Sequence, residues 1–427
     1  MNRGKIAIIG TLDTKETEAF YLKKILRSLN YEGIVFNASL TNWSPTKSPD
    51  IDQNEILSEV DAHPSDLDKL NRDQASQLME KGLGNKLKNL QENGEIQGVI
   101  GYGGSVGSRL IIGALKYLPT SFPKAIVTTV QNIVKEYIDK NIAIIPSPVD
   151  FIGGDELNTL EKKMFSAAAS SISALADEFS EIETKDTIFI TQMGTTTKCV
   201  TQCRNILNEK EFEVVTFHAA GLGGDCFEEF IERGVASGVL DITTAEISNS
   251  YVGGLATPKV VRINASIKKK IPTVICPGSM DNIVFDGPGT KKIPRKFKDR
   301  EFYYHNPSVT LMRMNKLESI KMGEIIAERV NKSKSPVRIL FPEKGWSEYD
   351  KKGGIKTVDY TGKETGNEWF KPEADKAFLK SLKENIDPKN ENIKIISLNN
   401  HINDFTFSEK LCEALLDIYW YKDKNKI

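Results

Sequence analysis

Apolar residues along the chain come in short runs that alternate with longer amphipathic stretches. Lys5-Ile-Ala-Ile-Ile9 is a β-branched run closed by Gly10, and Leu22, Ile25, Leu26 and Leu29 then recur at spacings of three and four. The first pattern predicts a strand and the second a helix, with a loop between them. Further apolar runs at 98–101, 125–129 and 141–145 alternate with helical stretches in the same way. That alternation predicts a parallel sheet covered on both faces. Residues 48–94 are polar with helical character and no strand pattern, so they read as a helical insertion beside the candidate site. Leu157, Leu160, Met164, Ala168, Ile172, Leu175 and Phe179 predict one long helix.

The charged stretch 181–186 then reads as a linker, and the pattern restarts with Thr187-Ile-Phe-Ile-Thr191. Strand, Gly194-Thr-Thr-Thr-Lys198, helix and Val214–Phe217 repeat the order of the chain start, which raises a duplicated nucleotide-fold unit as one explanation. Runs at 238–241, 273–276, 337–341 and 393–397 follow, and Phe407, Leu411, Leu415 and Ile418 predict a last amphipathic helix. The expected fold is α/β, with two Rossmann-like doubly wound subdomains, mostly parallel sheets and an interdomain cleft. The expected boundaries are 1–184 and 185–427.

The 427 residues are enough for two such cores. Lys and Arg number 57 against 58 Asp and Glu, so no broad attraction to nucleic acid or anionic lipid is expected. No apolar run approaches the ~20 residues that cross a bilayer, and a cytoplasmic protein is the expectation. The five cysteines, Cys199, Cys203, Cys226, Cys276 and Cys412, lack a paired CxxC spacing and read as free thiols.

Candidate chemistry lies where strands end. Gly10-Thr11-Leu-Asp13-Thr14-Lys15 joins the first strand to a helix, the position at which a doubly wound sheet meets its ligands. Backbone N–H groups there favour an anion, and Lys15 adds a full charge. Asp13 suits Mg2+ or a ribose hydroxyl, and an ordinary N-cap turn is the competing reading. The loop Gly101-Tyr-Gly103-Gly104-Ser105-Val-Gly107-Ser108 follows the next strand and permits close approach to phosphate oxygens, although it matches neither a Walker A loop nor a full GxGxxG fingerprint. Arg72 is a further anion candidate, and Thr128 and Thr129 at the end of another strand complete the cofactor-side set.

The second half carries a different chemistry. His218, Gly223 and Gly224, then Glu246, Asp281, His305 and His401, fall in segments expected to meet at one sheet rim, facing the cleft. Imidazoles beside carboxylates suit proton transfer, with a divalent metal as the alternative and structural hydrogen bonding as the competing reading.

Taken in order, Gly10-Thr-Leu-Asp-Thr-Lys15, Gly103-Gly-Ser105, Phe217-His-Ala219, Asp241-Ile-Thr-Thr244, Val252-Gly-Gly254, Pro277-Gly278, His305-Asn-Pro-Ser-Val-Thr-Leu-Met-Arg313 and His401-Ile-Asn-Asp404 resemble the Tm-one-like ATP-binding protein family, named after a tomato mosaic virus resistance protein. The resemblance runs over nearly the whole chain. It implies two Rossmann-like subdomains, ATP in the first, and a homodimer. The chain departs from the pattern at Glu16, Val106, Ser108, Val130-Gln131-Asn132 and around Tyr137, all in the first half. The leading expectation is a nucleotide-dependent enzyme or sensor acting on a small molecule. The rivals are a non-catalytic nucleotide-binding interaction protein, and a hydrolase or lyase using the histidine-rich second half.

Overall fold

The computed structural model describes residues 3–41, 46–130, 142–151, 154, 156–178, 186–287, 289 and 291–424. The chain divides into two compact units, Met1–Ile182 and Glu183–Ile427. Among the described residues, the first unit holds the strands β1 (Lys5–Gly10), β2 (Glu32–Asn37), β3 (Gly98–Gly103), β4 (Lys124–Thr128) and β5 (Ala143–Pro146). Its helices are α1 (Leu12–Ser28), α2 (Gln53–Ser58), α3 (Pro64–Leu67), α4 (Arg72–Glu92), α5 (Ser105–Leu115) and α6 (Thr159–Glu178). The strands form one parallel sheet in the order β2-β1-β3-β4-β5. The helical insertion is α2, α3 and α4. Phe179, residues 181–185 of the linker and the divergent stretch beyond Val130 lie outside the described residues.

Successive side chains on a strand face opposite ways, and β1 shows the result. Ala7 and Ile9 join Phe36, Val99 and Ile126 in a core with Met79 and Leu83 of α4 and Leu110 and Ile111 of α5. Ile6 and Ile8 face the other way, against Leu22 and Leu26 of α1 and Phe165 and Ile172 of α6. Both faces of the sheet are therefore dry, which is why its strands read as continuous apolar runs.

The second unit contains β6 (Thr187–Gln192), β7 (Glu213–His218), β8 (Gly238–Thr243), β9 (Thr273–Gly278), β10 (Asn282–Asp286), β11 (Phe302–Asn306), β12 (Val309–Arg313), β13 (Val337–Pro342), β14 (Lys356–Val358), β15 (Glu364–Glu368) and β16 (Ile393–Leu398). Its helices are α7 (Thr197–Asn208), α8 (Leu222–Glu232), α9 (Ala245–Val252), α10 (Ala265–Lys268), α11 (Lys316–Val330), α12 (Pro372–Asn385) and α13 (Phe405–Lys424). Six strands form a parallel sheet in the order β16-β13-β9-β8-β6-β7. The local order β7-β6-β8 repeats β2-β1-β3 of the first unit, with the second strand on one side of the first and the third on the other.

The second unit also contains an antiparallel sheet, β10-β12-β11-β14-β15, that the apolar runs did not predict. It has its own small core of Ile283, Phe285, Phe302 and Met312 closed by Ile293 and Phe297. His305 sits on β11 of this added sheet rather than in a loop at the parallel sheet's rim. No helix among the described residues is long and apolar enough to cross a membrane. Four cysteines are buried and Cys226 is partly accessible, all without disulfides.

Candidate functional site

In the first unit the strand order reverses between β1 and β3, so the loops leaving these strands turn to opposite faces and open a crevice at their carboxyl ends. A cavity of about 940 Å³ lies there. Thr11, Asp13, Thr14 and Lys15 line it from the first loop, Gly104 and Ser105 from the second, Thr129 from the end of β4, and Arg72 from the insertion.

The first loop is held from several directions. The Asp13 amide donates to Ser39 Oγ at 3.0 Å, and the Asp13 carboxylate accepts from the Thr41 hydroxyl at 3.2 Å. Helical dihedrals then fail at Lys15 (φ −142°, ψ 45°), which separates the first turn of α1 from the rest. The Tyr102 hydroxyl, buried beside Gly10, donates to the Lys15 carbonyl at 2.6 Å and so occupies an acceptor that the break exposes. Burial pushes the Tyr102 phenol well up, keeping it a proton donor. A side chain on Gly10 would collide with that phenol, so Gly10 shapes the loop from behind without lining the cavity.

The second loop enters α5 with Gly104 as N-cap and no side-chain cap, leaving the first-turn amides open to an anion. A side chain on Gly103 would press on the Gly107–Ser108 backbone at the start of α5, so this glycine too shapes the loop without lining the cavity. Thr128 turns inward, its hydroxyl 2.7 Å from that of Ser108, which itself donates to the Gly103 carbonyl at 2.9 Å. Gly10, Gly103 and Thr128 therefore support the surface that the other candidates present. Among the described residues neither Lys15 nor Arg72 has a carboxylate partner in an ion pair. Glu16, one of the departures noted above, accepts from the Lys47 amide at 2.6 Å and from the Thr46 hydroxyl, fastening that segment beside the loop.

Asp68, Asp150, Phe151, Leu40, Leu67 and Leu70 also line this cavity and were not singled out from the sequence. They lie on the insertion and in short connections, where no glycine or strand pattern marks them.

In the second unit the predicted residues separate. His218, at the end of β7, and His305 both line one cavity of about 510 Å³, together with Thr195, Asn282, Glu348 and Tyr349. His305 Nδ1 lies 2.8 Å from the Tyr349 hydroxyl, and burial pushes the Tyr349 phenol up to about 12. Gly223 has no room for a side chain against the His218 carbonyl, so it allows the tight turn into α8.

His401 belongs to a different cavity, lined by Lys198, Lys344, Lys351 and Lys352, with Glu348 bordering both. Its ring is committed to the backbone: Nδ1 accepts from the Asn403 amide at 3.1 Å and Nε2 faces the Ser347 carbonyl at 2.9 Å. Burial lowers its pKa, in keeping with a neutral ring.

Glu246 and Asp281 are fully buried and do not line either cavity. Glu246 accepts from the Gly221 and Gly224 amides at 2.6 and 3.1 Å, and pairs with Arg262, which also forks onto Asp241 at 2.9 Å through both oxygens. Burial raises Glu246 to about 7 against the opposing pull of Arg262. Asp281 accepts from Ser347 Oγ and Trp369 Nε1 at 2.8 and 2.7 Å, and burial together with Asp350 raises it to about 6. Both acids thus tie loops to the interior. Among the described residues no group of three His, Cys, Asp or Glu side chains is placed to hold a metal.

Models of the Uncharacterised protein family (UPF0261) match this chain twice, its N-terminal domain over residues 4–181 and its C-terminal domain over 185–419. A UPF0261 protein of Clostridium tetani is 34% identical over 98% of this chain and 99% of its own length. The ToMV resistance protein Tm-1(GCR237) of Solanum lycopersicum is 32% identical over 98% of this chain, which spans 56% of the tomato protein. Among solved structures, a UDP-N-acetylglucosamine 2-epimerase from Rickettsia bellii aligns over 50% of this chain and 62% of its own at 12% identity, with a TM-score of 0.21. A likeness at that level carries no functional argument.

Proposed function

The chain belongs to the UPF0261 family through both of its units, and from that premise we propose that its first unit binds ATP or a related phosphate-bearing nucleotide. One observation carries the reading. The loops after β1 and β3, on either side of the strand-order reversal, bring two helix N-termini and Lys15 to one cavity, which Arg72 of the helical insertion also lines. The open first-turn amides of α5 and two cations without acidic partners among the described residues suit phosphate, and Leu40, Leu67 and Leu70 give an apolar wall for a base. Mg2+ commonly takes one or two carboxylates with substrate phosphates, and Asp13 beside the phosphate-side loop fits that donor set. In this reading the ion neutralises phosphate charge, while Lys15 and the α5 amides orient the phosphates.

Calorimetric titration of ATP, with and without Mg2+, is expected to show binding that Lys15→Ala weakens by about 1.5 to 3 kcal/mol, the worth of a hydrogen bond to a charged group. Absence of binding by the wild-type protein under both conditions rejects the proposal. Phosphate release on incubation with ATP separates an enzyme from a nucleotide sensor. A homodimer belongs to the same proposal and is checked by sedimentation at micromolar concentration. So does a cytoplasmic setting, with which cysteines outside disulfides are compatible.

A further inference from the structure

We propose that the lysine-lined cavity beside His401 is a second ligand site, which takes a small molecule carrying two or more negative charges as phosphate or carboxylate groups. Its volume of about 670 Å³ lies in the range of small-molecule sites. It opens beyond the carboxyl ends of parallel strands, where α/β sheets meet their ligands. Lys198 comes from the segment after β6, Lys344, Lys351 and Lys352 from the segment after β13, and His401, Asn403 and Asp404 from the segment after β16.

All four lysines are exposed, and among the described residues none of them has a carboxylate partner in an ion pair. Two carboxylates line the same cavity, Glu348 and Asp404. Asp404 already accepts from the His401 amide at 2.8 Å, and Glu348 also borders the neighbouring cavity. With His401 neutral, four cations face two anions, a surplus that a doubly charged ligand offsets.

The fold holds these like charges together. His401 Nε2 faces the Ser347 carbonyl at 2.9 Å, while Asn403 accepts from the Cys199 amide at 3.2 Å and donates to the Thr195 carbonyl at 3.0 Å. The segment after β16 is thereby fastened to both segments that carry the lysines. The Lys344 amide donates to the Asn400 carbonyl at 2.9 Å, and the turn at Gly345 (φ +126°) leaves no room for a side chain against the Asp350 carbonyl. Lys198 stands in the first turn of α7, which contains no acidic residue and whose N-cap Thr196 makes no side-chain cap. A cation there opposes the helix dipole, and the lysines repel one another; a bound anion offsets both terms. Ammonium groups meet an anion as point charges rather than planar forks, so charge sets the class, and Phe370 provides apolar contact for a carbon body. The inference does not rest on the nucleotide reading, because these residues all belong to the second unit.

Calorimetric titration of the full chain at low salt tests it with pyrophosphate, citrate and acetate. Pyrophosphate and citrate are expected to bind and acetate is not, and the tighter of the first two tells phosphate from carboxylate. Replacing two exposed lysines of the cavity, Lys344→Ala with Lys351→Ala, is expected to weaken that polyanion about tenfold, as hydrogen bonds to charged groups are lost. Lys376→Ala with Lys380→Ala removes the same charge from exposed positions of α12 outside the cavity, and Lys15→Ala removes one from the first unit; both are expected to leave the affinity within about twofold. Lys198→Ala, on a separate element, is expected to weaken it about threefold and decides the matter if the double cavity variant loses the wild-type circular dichroism spectrum. Failure of both polyanions to bind, an equal loss in the α12 variant, a loss in Lys15→Ala alone, or affinity unchanged by the cavity substitutions overturns the proposal. Single-stranded RNA that binds through the same lysines when neither small polyanion does overturns it as well. ATP titration of Lys15→Ala remains the separate test of the first cavity, so the two readings fail independently.

Discussion

At the scale of single residues, the second unit gathers several buried acids around one buried cation. Arg262 is 1% exposed and faces Asp241, Glu246 and Glu228 together. Arg262→Met leaves three buried acids without their shared cation and is expected to cost about 3 to 5 kcal/mol, read from urea midpoints. A pH dependence follows from the same acids. Glu246 is raised from 4.5 to about 7 and Asp281 from 3.8 to about 6. Between those values the folded protein holds protons that the unfolded chain has released, so the stability they contribute is complete below the unfolded values and is lost as pH rises through 6 and 7. The urea midpoint is expected to fall from pH 5 to pH 7.5, with a shallower fall in Glu246→Gln. A slope unchanged by that substitution removes Glu246 as its source.

At the scale of elements, the break at Lys15 makes the start of α1 a one-turn unit pinned by Tyr102. Tyr102→Phe removes the pin without changing the ring's packing against Phe165. It is expected to cost about 1 kcal/mol in stability and to weaken ATP in calorimetry, while unchanged affinity with lowered stability confines Tyr102 to the fold. The parallel strands were legible because sheets buried on both faces leave unbroken apolar runs, as Ile6 to Ile9 and Ile188 to Ile190 show. The antiparallel sheet was not, since β15 is Glu-Thr-Gly-Asn-Glu, largely exposed, and β14 is only three residues long. Loop glycines pointed to the first cavity because position after a strand is visible in sequence. The second was partly hidden for the opposite reason. Glu246 and Asp281 carry the same carboxylate as a ligand-facing acid, and only tertiary structure brings Arg262, Trp369 and Ser347 against them. Asn282 and Tyr349 lacked any such mark, although one adjoins Asp281 and the other follows β13.

For the whole molecule, two units with separate cores should answer a ligand separately. Scanning calorimetry with ATP at a hundred times its dissociation constant is expected to raise the transition of the first unit, in proportion to about 2.7 kcal/mol of added stability, and to leave that of the second in place. A single transition that moves as one shows that the units melt together. The placement of sulfur offers an independent view of the same process. Every cysteine of the chain lies between Cys199 and Cys412, and only Cys226 is partly accessible. A coloured thiol reagent therefore has one early target in the native protein and four that wait for the second unit to open, while the first unit contributes no signal at all. The rate at which the late thiols react reads the opening of one half of the chain in an unlabelled, unmutated protein.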